Sequence, residues 1–394
     1  MSSSFCVVFL FSYLSLAFSQ SVTVETEARA IADINAFIAN NTNTGNQPEI
    51  NNPAAKLVRL AFHDCPGGCD GCLNFENPEN NGLMETYTII NGIFDRNGYA
   101  AEGMSRADFV ALAGVIAIEA ASMRQDCRMM PPNSTCPLVP TMTLKYGRRD
   151  CQTSPRTDDI EPFPVAHGDL SHVLMYFRDN MNMSTRETVA IIGAHSLGTT
   201  RLQNSGFRGP WAPPTDRFDN GFYRILFGGG NARWMQEEVN DTRSSVFPDS
   251  RYQWTRPGPG NGGPGPGNGG GPVIMLNSDM ALLRDIDPDS DGRESNASCR
   301  MNSNNCEESM LTFNMVREFA MNNSAFIEAF GPAFQKLIET GYHGTNALYT
   351  AEEVVPTSSS PMPTPTESST PSAGVGLKAV LLLTLSLFVL AVFA

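Results

Sequence analysis

The chain has 394 residues, of which 41% are apolar, so one large domain or two ordinary ones can bury a sizeable core. Its 27 lysine and arginine residues are outnumbered by 41 aspartate and glutamate residues, which gives a net charge of −14. This balance argues against a nucleic-acid-binding protein, which needs a basic footprint. It favours cationic partners, although the sign of the charge names none.

The N-terminus is typical of a secretory signal peptide. Residues 5–18 are apolar, and Ala17-Phe18-Ser19 fits a small-x-small cleavage site, although no lysine or arginine precedes the run. A buried N-terminal core helix is the alternative. The pattern predicts that residues 1–19 are removed during export.

The C-terminus predicts an anchor. A Pro/Ser/Thr-rich segment, 351–372, is typical of a disordered, O-glycosylated stalk. The apolar run from Ala379 to Ala394 ends the chain and is shorter than the roughly 20 residues that span a bilayer. We therefore expect residues 373–394 to form a GPI-attachment signal, with a short single-pass anchor as the alternative. Both alternatives predict a membrane-held protein at the extracellular face of the cell surface.

Cysteine usage agrees with passage through the secretory pathway. An even number of cysteines remains after the signal, which predicts disulfides of undetermined connectivity. These cysteines are Cys65, Cys69, Cys72, Cys127, Cys136, Cys151, Cys299 and Cys306. Sequons that permit N-glycosylation begin at Asn40, Asn133, Asn182, Asn240, Asn296 and Asn322.

Between the two ends the apolar pattern is mostly helical. Helix-period apolar residues recur over 24–41 and 54–65. The segment 310–341 predicts a pair of helices with a break near Asn322.

Two helix starts carry the capping-box signature. Ser105 and Asp108 precede a long apolar run, which predicts a buried helix. Ser184 and Glu187 precede a second apolar run, with Gly198 near the end of the predicted helix.

The Gly/Pro-rich stretch 256–272 is expected to be a flexible loop rather than a domain boundary, because the helical pattern resumes after it. No repeat of 20–50 residues recurs. We predict one all-α domain from residue 22 to residue 350.

Arg59 and His63 lie four residues apart, so on a helix both side chains share one face. A neutral imidazole can take a proton from peroxide and return it to the leaving oxygen. A neighbouring guanidinium can stabilise the charge that develops as the O–O bond breaks. An ordinary Arg/His pair on a half-exposed helix is the alternative.

His195 follows an apolar run and Asp279 lies between two apolar stretches. Taken alone, such a histidine is usually a core residue, and such an aspartate is often a helix cap. A buried carboxylate can also pair with Nδ1–H of a metal-bound histidine, which makes the imidazole more basic.

Seven motifs resemble the plant, fungal and bacterial haem peroxidase superfamily, in its order and over about residues 50–290. They are LVRLAFHDC, ENPENNGL, ADFVALAGVIAIE, YGRRD, VAIIGAHSLG, NSGFRGPW and MLNSDMALL. The resemblance implies a helical bundle in two halves that encloses one haem b. It also implies reduction of hydrogen peroxide by two one-electron donors, in response to oxidative stress.

On the peroxide side of the iron, the resemblance assigns Arg59 and His63 to peroxide cleavage. Phe62 matches the aromatic residue beside them. Asn80 matches the asparagine that accepts a hydrogen bond from this histidine and keeps its other nitrogen basic.

On the opposite side, His195 matches the axial ligand of the haem iron and Asp279 matches its carboxylate partner. Trp211 matches the tryptophan of the intracellular branch, which includes ascorbate and cytochrome c peroxidases. The other two tryptophans, Trp234 and Trp254, are expected to pack in the interior rather than to act as surface oxidation sites.

The resemblance also implies cation sites. Asp64 and Asp70 match carboxylates of a calcium site in secreted members, although Cys72 stands where a serine hydroxyl would complete the shell. Ser196 and Asp219 match part of a second cation site on the side of His195.

The electron donor is left open by the sequence. Asn204 stands where ascorbate peroxidases carry an ascorbate-binding arginine, and the surrounding stretch is more similar to cytochrome c peroxidase. Phe62 is the choice of the secreted branch, whereas the branch that Trp211 indicates usually has tryptophan there. The alternative hypothesis is a non-catalytic cell-surface ectodomain that binds haem or a partner on the same scaffold.

Overall fold

A computed structural model describes residues 21–42, 52–125, 127, 130, 134–153, 163–228, 233–239, 251–257, 272–287 and 299–353. All of them belong to one compact unit that ends at Val354. The predicted signal (1–19) and anchor (373–394), and all but three residues of the predicted stalk (351–372), lie outside the described residues. Within the described part, no helix combines the length and apolar character needed to cross a membrane.

Helices dominate the described residues, which confirms the all-α prediction. The helices are α1 (Val24–Asn41), α2 (Pro53–Asp64), α3 (Met84–Asn97), α4 (Arg106–Ser122), α5 (Leu170–Met181), α6 (Thr185–Ile192), α7 (Leu202–Ser205), α8 (Gly221–Phe227), α9 (Asn277–Met280), α10 (Phe313–Met321) and α11 (Asn323–Ile338). The strands are β1 (Thr199–Thr200), β2 (Gly209–Pro210), β3 (Met235–Val239), β4 (Arg251–Pro257) and β5 (Pro272–Met275).

Local side-chain chemistry sets the helix starts. The predicted capping boxes form at Ser105/Asp108 and at Ser184/Glu187, where each serine accepts from the backbone of its partner and each carboxylate accepts in return. The predicted helix pair breaks at Asn322, which ends α10 and caps α11 through its side chain.

Helix α4 is the centre of the core, because nearly all of its side chains are buried. Helix α2 packs directly against α4, and a Cβ placed on Gly114 of α4 would lie 2.5 Å from Ala61 Cβ of α2. This close packing against α4 fixes the position of α2, and with it the positions of Arg59 and His63.

Two small antiparallel sheets add to the helical architecture: β1 with β2, and β3–β4–β5. In the larger sheet Pro257 pairs with Pro272, so the ends of the predicted loop 256–272 are strand residues, while 258–271 lie outside the described part. Strand β5 runs into α9 with one residue between them.

Disulfides close several loops around the bundle. The pairs are Cys65–Cys69, Cys72–Cys151, Cys127–Cys136 and Cys299–Cys306. The two ends of the described chain also meet, since Glu352 exchanges backbone hydrogen bonds with Val22 and Val24.

Candidate active site

Helix α2 brings Arg59 and His63 together one turn apart, as the spacing predicts. Nε of Arg59 donates to Nε2 of His63 at 3.3 Å. The guanidinium also donates to the backbone oxygens of Glu79 (2.6 Å) and Asn81 (2.8 Å). These bonds hold the cationic group beside the imidazole.

Asn80 reaches the same imidazole from the 3₁₀ turn Pro78–Asn80. Its Oδ1 lies 2.9 Å from Nδ1 of His63, and its own amide donates to the backbone oxygen of Asn74 at 2.8 Å. Because Oδ1 can only accept, Nδ1 of His63 carries the proton. Nε2 is therefore the basic nitrogen, and it points to the side where Arg59 lies.

Burial sets the protonation state of this group. The pKa of His63 lies well below its ordinary value because the ring is desolvated, and the charge of Arg59 lowers it further. The hydrogen bond to Asn80 opposes both effects. Burial also lowers the pKa of Arg59, to about 10. This value is still well above neutral pH, so the guanidinium remains charged there.

Two phenyl rings contact His63. Phe62 lies edge-on at 5.5 Å between centroids, and Phe163 lies tilted against the imidazole at 4.6 Å. The sequence predicted Phe62 beside the site and missed Phe163, which belongs to a segment without a motif or helix period. Only the tertiary contact identifies it.

The structure places His195 just beyond the end of α6, in a 3₁₀ turn (Gly193–Ser196), rather than inside the predicted helix. The turn packs tightly: a Cβ on Gly193 would lie 2.5 Å from the Phe326 ring and 2.7 Å from Tyr223 Oη. This packing orients the histidine.

Asp279 joins His195 to Trp211. Its Oδ1 lies 2.8 Å from Nδ1 of His195, and its Oδ2 accepts from Nε1 of Trp211 at 2.9 Å. Oδ2 also accepts from the backbone N–H of Leu276 at 2.8 Å. The indole and the imidazole stack with centroids 4.2 Å apart and an interplanar angle of 13°. Asp279 is fully buried, and these protein donors satisfy both of its oxygens without water.

The two aspartates of the predicted calcium site lie near each other at the end of α2. Asp64 accepts from the backbone N–H groups of Gly71 and Cys72, but its Oδ1 is buried without a partner in the described structure. Burial raises the pKa of Asp64 well above its ordinary value, and Asp70 raises it further. Cys72 offers no ligand because it is bonded to Cys151.

Near the second predicted cation site lies a hydroxyl that the sequence did not predict, that of Thr215. Oγ of Ser196 and Oγ1 of Thr215 are both buried without a partner among the described residues. The Thr215 carbonyl accepts from Gly198 N–H at 2.8 Å, which holds it against the turn after Ser196. Asp219 is also buried, and it accepts from Gly221 N–H at 2.7 Å.

The donor set fits a haem group. Nδ1 of His195 is committed to Asp279, whereas its Nε2 has no protein partner among the described residues, and the side chain is 30% exposed. An imidazole whose other nitrogen donates to a carboxylate is the usual protein ligand of haem iron in peroxidases. His63, on a different helix, is kept neutral beside a cation.

Comparison with known proteins agrees with this geometry. The family model described as Peroxidase matches residues 34–298. A protein of Mycosarcoma maydis that is named as a heme-binding peroxidase is 26% identical over 312 residues, which cover 75% of this chain and 76% of that protein.

Two further relatives carry more specific names. The mitochondrial cytochrome c peroxidase of Candida glabrata is 26% identical over 298 residues, 72% of this chain and 64% of that protein. The peroxisomal L-ascorbate peroxidase 5 of Arabidopsis thaliana is 28% identical over 197 residues, 47% of this chain and 62% of that protein. The chain therefore belongs to the peroxidase family and is a haem-dependent oxidoreductase that acts on hydrogen peroxide.

Proposed function

We propose that His63, Arg59 and Asn80 carry out peroxide cleavage and that His195, supported by Asp279 and Trp211, holds the haem iron. The observation that carries this proposal is the pair of oriented imidazoles. Asn80 leaves Nε2 of His63 basic, and Asp279 leaves Nε2 of His195 free.

On the peroxide side, His63 would accept a proton from one peroxide oxygen at Nε2 and deliver it to the other oxygen, so that the O–O bond breaks and this second oxygen leaves as water. The oxygen that lost the proton becomes a second water once the two donors have supplied two electrons and two protons have been taken up. Arg59 stabilises the negative charge that develops on the leaving oxygen. Asn80 holds the Nδ1 proton, so the ring acts through one nitrogen only. The flanking Phe62 ring limits the water that reaches the imidazole.

On the other side, Nε2 of His195 would hold the haem iron. Bound haem supplies the redox chemistry, in which hydrogen peroxide takes up two electrons and two protons to give water while two donor molecules each lose one electron. Asp279 accepts a hydrogen bond from Nδ1–H of His195, which orients the ring and leaves Nε2 for the iron. Trp211 lies nearly parallel to the imidazole of His195, where its readily oxidised indole would adjoin the haem-binding residue.

The reducing substrate is to be found by donor profiling. The names of two relatives suggest cytochrome c and ascorbate, and Asn204 makes ascorbate the weaker candidate because it offers no charge to a carboxylate-like anion. Phenols and Mn(II) complete the set of donors to compare.

The proposed location is the extracellular face of the cell surface, where removal of peroxide would serve the response to oxidative stress. The disulfides of the described part support an oxidising compartment. Release of the protein from cells by a phosphatidylinositol-specific phospholipase would support the GPI anchor, and retention would favour a single-pass anchor.

Structural cations complete the proposal. The buried, unpartnered hydroxyls of Ser196 and Thr215 and the buried Asp219 carboxylate are ligand types that suit a hard cation. The unpartnered Oδ1 of Asp64 supports calcium at Asp64 and Asp70, although Cys72 contributes nothing to that shell.

The deciding experiment is reconstitution of the purified protein with haemin. We expect a Soret band, peroxide-driven oxidation of a phenolic dye, and weak haem binding by His195→Ala. Haem binding without turnover would favour the non-catalytic ectodomain. A protein that stays colourless with haemin would contradict the proposal.

A further inference from the structure

We infer that Asn277 is a positioning residue, which fixes the short helix that presents Asp279 to His195 and Trp211. The inference rests on the proposed role of His195 as the iron ligand. It concerns a side chain that touches neither the histidine nor the reacting groups.

The need for such a residue follows from the size of α9. The helix has four residues, Asn277–Met280, and a single turn does not hold its own shape without outside contacts. Asp279 must nevertheless place both carboxylate oxygens, one on Nδ1 of His195 and the other on Nε1 of Trp211. The position of this turn therefore has to come from the elements around it.

The Asn277 amide supplies three of those contacts. Its Oδ1 accepts from Nε1 of Trp254 at 2.9 Å and from Nε2 of Gln236 at 3.4 Å. Its Nδ2 donates to the backbone oxygen of His167 at 3.2 Å. Asn277 is 1% exposed, so water does not replace these partners.

Each contact comes from a different element, which makes the amide a junction. Trp254 lies on β4 opposite Met275, the last residue of β5, so its bond to Asn277 continues the strand pairing into the helix. Gln236 lies on β3, the far strand of the same sheet. The sheet thus holds α9 from one side through two side chains.

The His167 contact ties the helix to a segment that reaches the other side of the site. The backbone N–H of Ser278 donates to the Ala166 oxygen at 3.1 Å, next to the bond from Asn277 to His167. The same segment contains Phe163, whose ring lies against His63. Asn277 therefore lies where α9, the β3–β4–β5 sheet and the segment that contains Phe163 and His167 meet.

Three variants test the inference. Asn277→Ala removes all three contacts. Asn277→Asp keeps an acceptor for Trp254 but cannot donate to the His167 oxygen. Trp254→Phe removes the closer of the two donors to Oδ1 while leaving Asn277 in place. Asn323→Ala is the matched control, because Asn323 is also a buried asparagine that ties two segments, through Asn220 N–H and Gln125, without contact to His195 or Asp279.

The measurements are the iron–histidine stretching frequency of the ferrous protein, the rate of haem transfer to an apoprotein acceptor, and the melting temperature. We expect the Asn277 variants and Trp254→Phe to shift the stretching frequency. We also expect haem loss to be about tenfold faster, the lower end of what outer partners of metal ligands contribute. Asn323→Ala should lower the melting temperature and leave the frequency unchanged.

The outcomes separate two failures. If the wild-type protein shows no iron–histidine band, the assignment of His195 is wrong. If the wild-type band is present and the folded variants keep its frequency and haem-loss rate, the role of Asn277 is overturned. Should Asn277→Ala not fold, Asn277→Asp and Trp254→Phe decide by the same readouts.

Discussion

His195 and Asp279 are joined by a 2.8 Å hydrogen bond between Nδ1 and Oδ1, and the carboxylate is fully buried. The other carboxylate oxygen is committed to Trp211. One buried carboxylate thus orients two rings, with one of its oxygens bonded to each ring.

Replacing Asp279 with asparagine tests this dependence. An amide accepts at one oxygen only, so Asp279→Asn must break the bond to His195 or the bond to Trp211. We expect a loss of roughly 10- to 100-fold in haem affinity or turnover, measured by haem transfer and steady-state kinetics. Asp285→Asn, at an exposed position on the segment after α9, should behave like the wild type. An unchanged Asp279→Asn protein would contradict the proposed support of the ligand.

Loss of the peroxide-side base should separate binding from turnover. His63→Leu removes the basic nitrogen. Because His63 is not the proposed iron ligand, the variant should still bind haem and show a Soret band. The rate constant for reaction with peroxide should fall by about 10²- to 10⁴-fold, the usual contribution of general acid–base catalysis. His172→Leu, at an exposed histidine of α5, is the control and should retain the wild-type rate. A His63→Leu protein of normal rate would exclude the assigned role.

The neighbours of His63 should set the pH at which activity declines on the acid side of the pH profile, its acid limb. Activity requires the neutral imidazole, and its pKa is well below the ordinary value of 6.5, so the peroxide rate should hold as pH falls through 6.5 and decline only at lower pH. Arg59→Leu removes a charge that lowers this pKa and should move the limb to higher pH. Asn80→Ala removes a bond that raises it and should move the limb to lower pH. Stopped-flow rates across pH give the limb, and shifts in the same direction for both variants would contradict this assignment.

The lowered pKa of His63 also makes the stability of the protein depend on pH. The unfolded chain binds a proton at His63 near pH 6.5, whereas the folded chain does so only at lower pH. The contribution of neutral His63 to the free energy of unfolding is therefore complete above pH 6.5. It is lost as the pH falls from 6.5 toward the pKa of His63 in the folded protein. Denaturant titrations at several pH values should show a smaller decline for His63→Leu than for the wild type.

Chelation should reveal a bound cation. If Ser196, Thr215 and Asp219 hold one, a strong chelator should lower the melting temperature, because a ligand present at 100 times its Kd stabilises by about 2.7 kcal/mol. Thr215→Val removes the hydroxyl and should abolish the chelator effect. Thr188→Val is the matched control, since its hydroxyl is also buried without a partner in the described structure. Elemental analysis without a bound cation would contradict the site.

Trp211 should matter most for donors too large to approach the haem. The indole stacks on His195 and is easier to oxidise than the phenyl ring of Trp211→Phe. We expect this variant to lose oxidation of cytochrome c while it keeps most oxidation of a small phenol. Trp234→Phe, at a buried tryptophan whose indole donates to the Leu226 oxygen rather than to Asp279, should leave the ratio of the two rates unchanged. Equal losses for both donors would argue against electron transfer through Trp211.

Much of the fold was predictable because local chemistry sets it. The capping boxes at Ser105 and Ser184 and the break at Asn322 form as predicted, since each depends on side chains within three residues. Trp234 and Trp254 are fully buried, as expected from their apolar rings. The face shared by Arg59 and His63 follows from helical spacing alone.

Contacts between distant segments could not be read in this way. The bond from Asp279 to His195 spans 84 residues, and its geometry depends on how a single helical turn is held by a sheet that the all-α prediction did not include. Phe163 and Thr215 carry no motif, and Asn277 lies in a motif that assigned it no role, so only packing shows what these residues contact. The sequence by itself determined which residue types do the chemistry and where helices begin, because these depend on near neighbours. The tertiary structure alone decided how each histidine is held in place, because its partners Asn80 and Asp279 are brought to it by segments far apart in the chain.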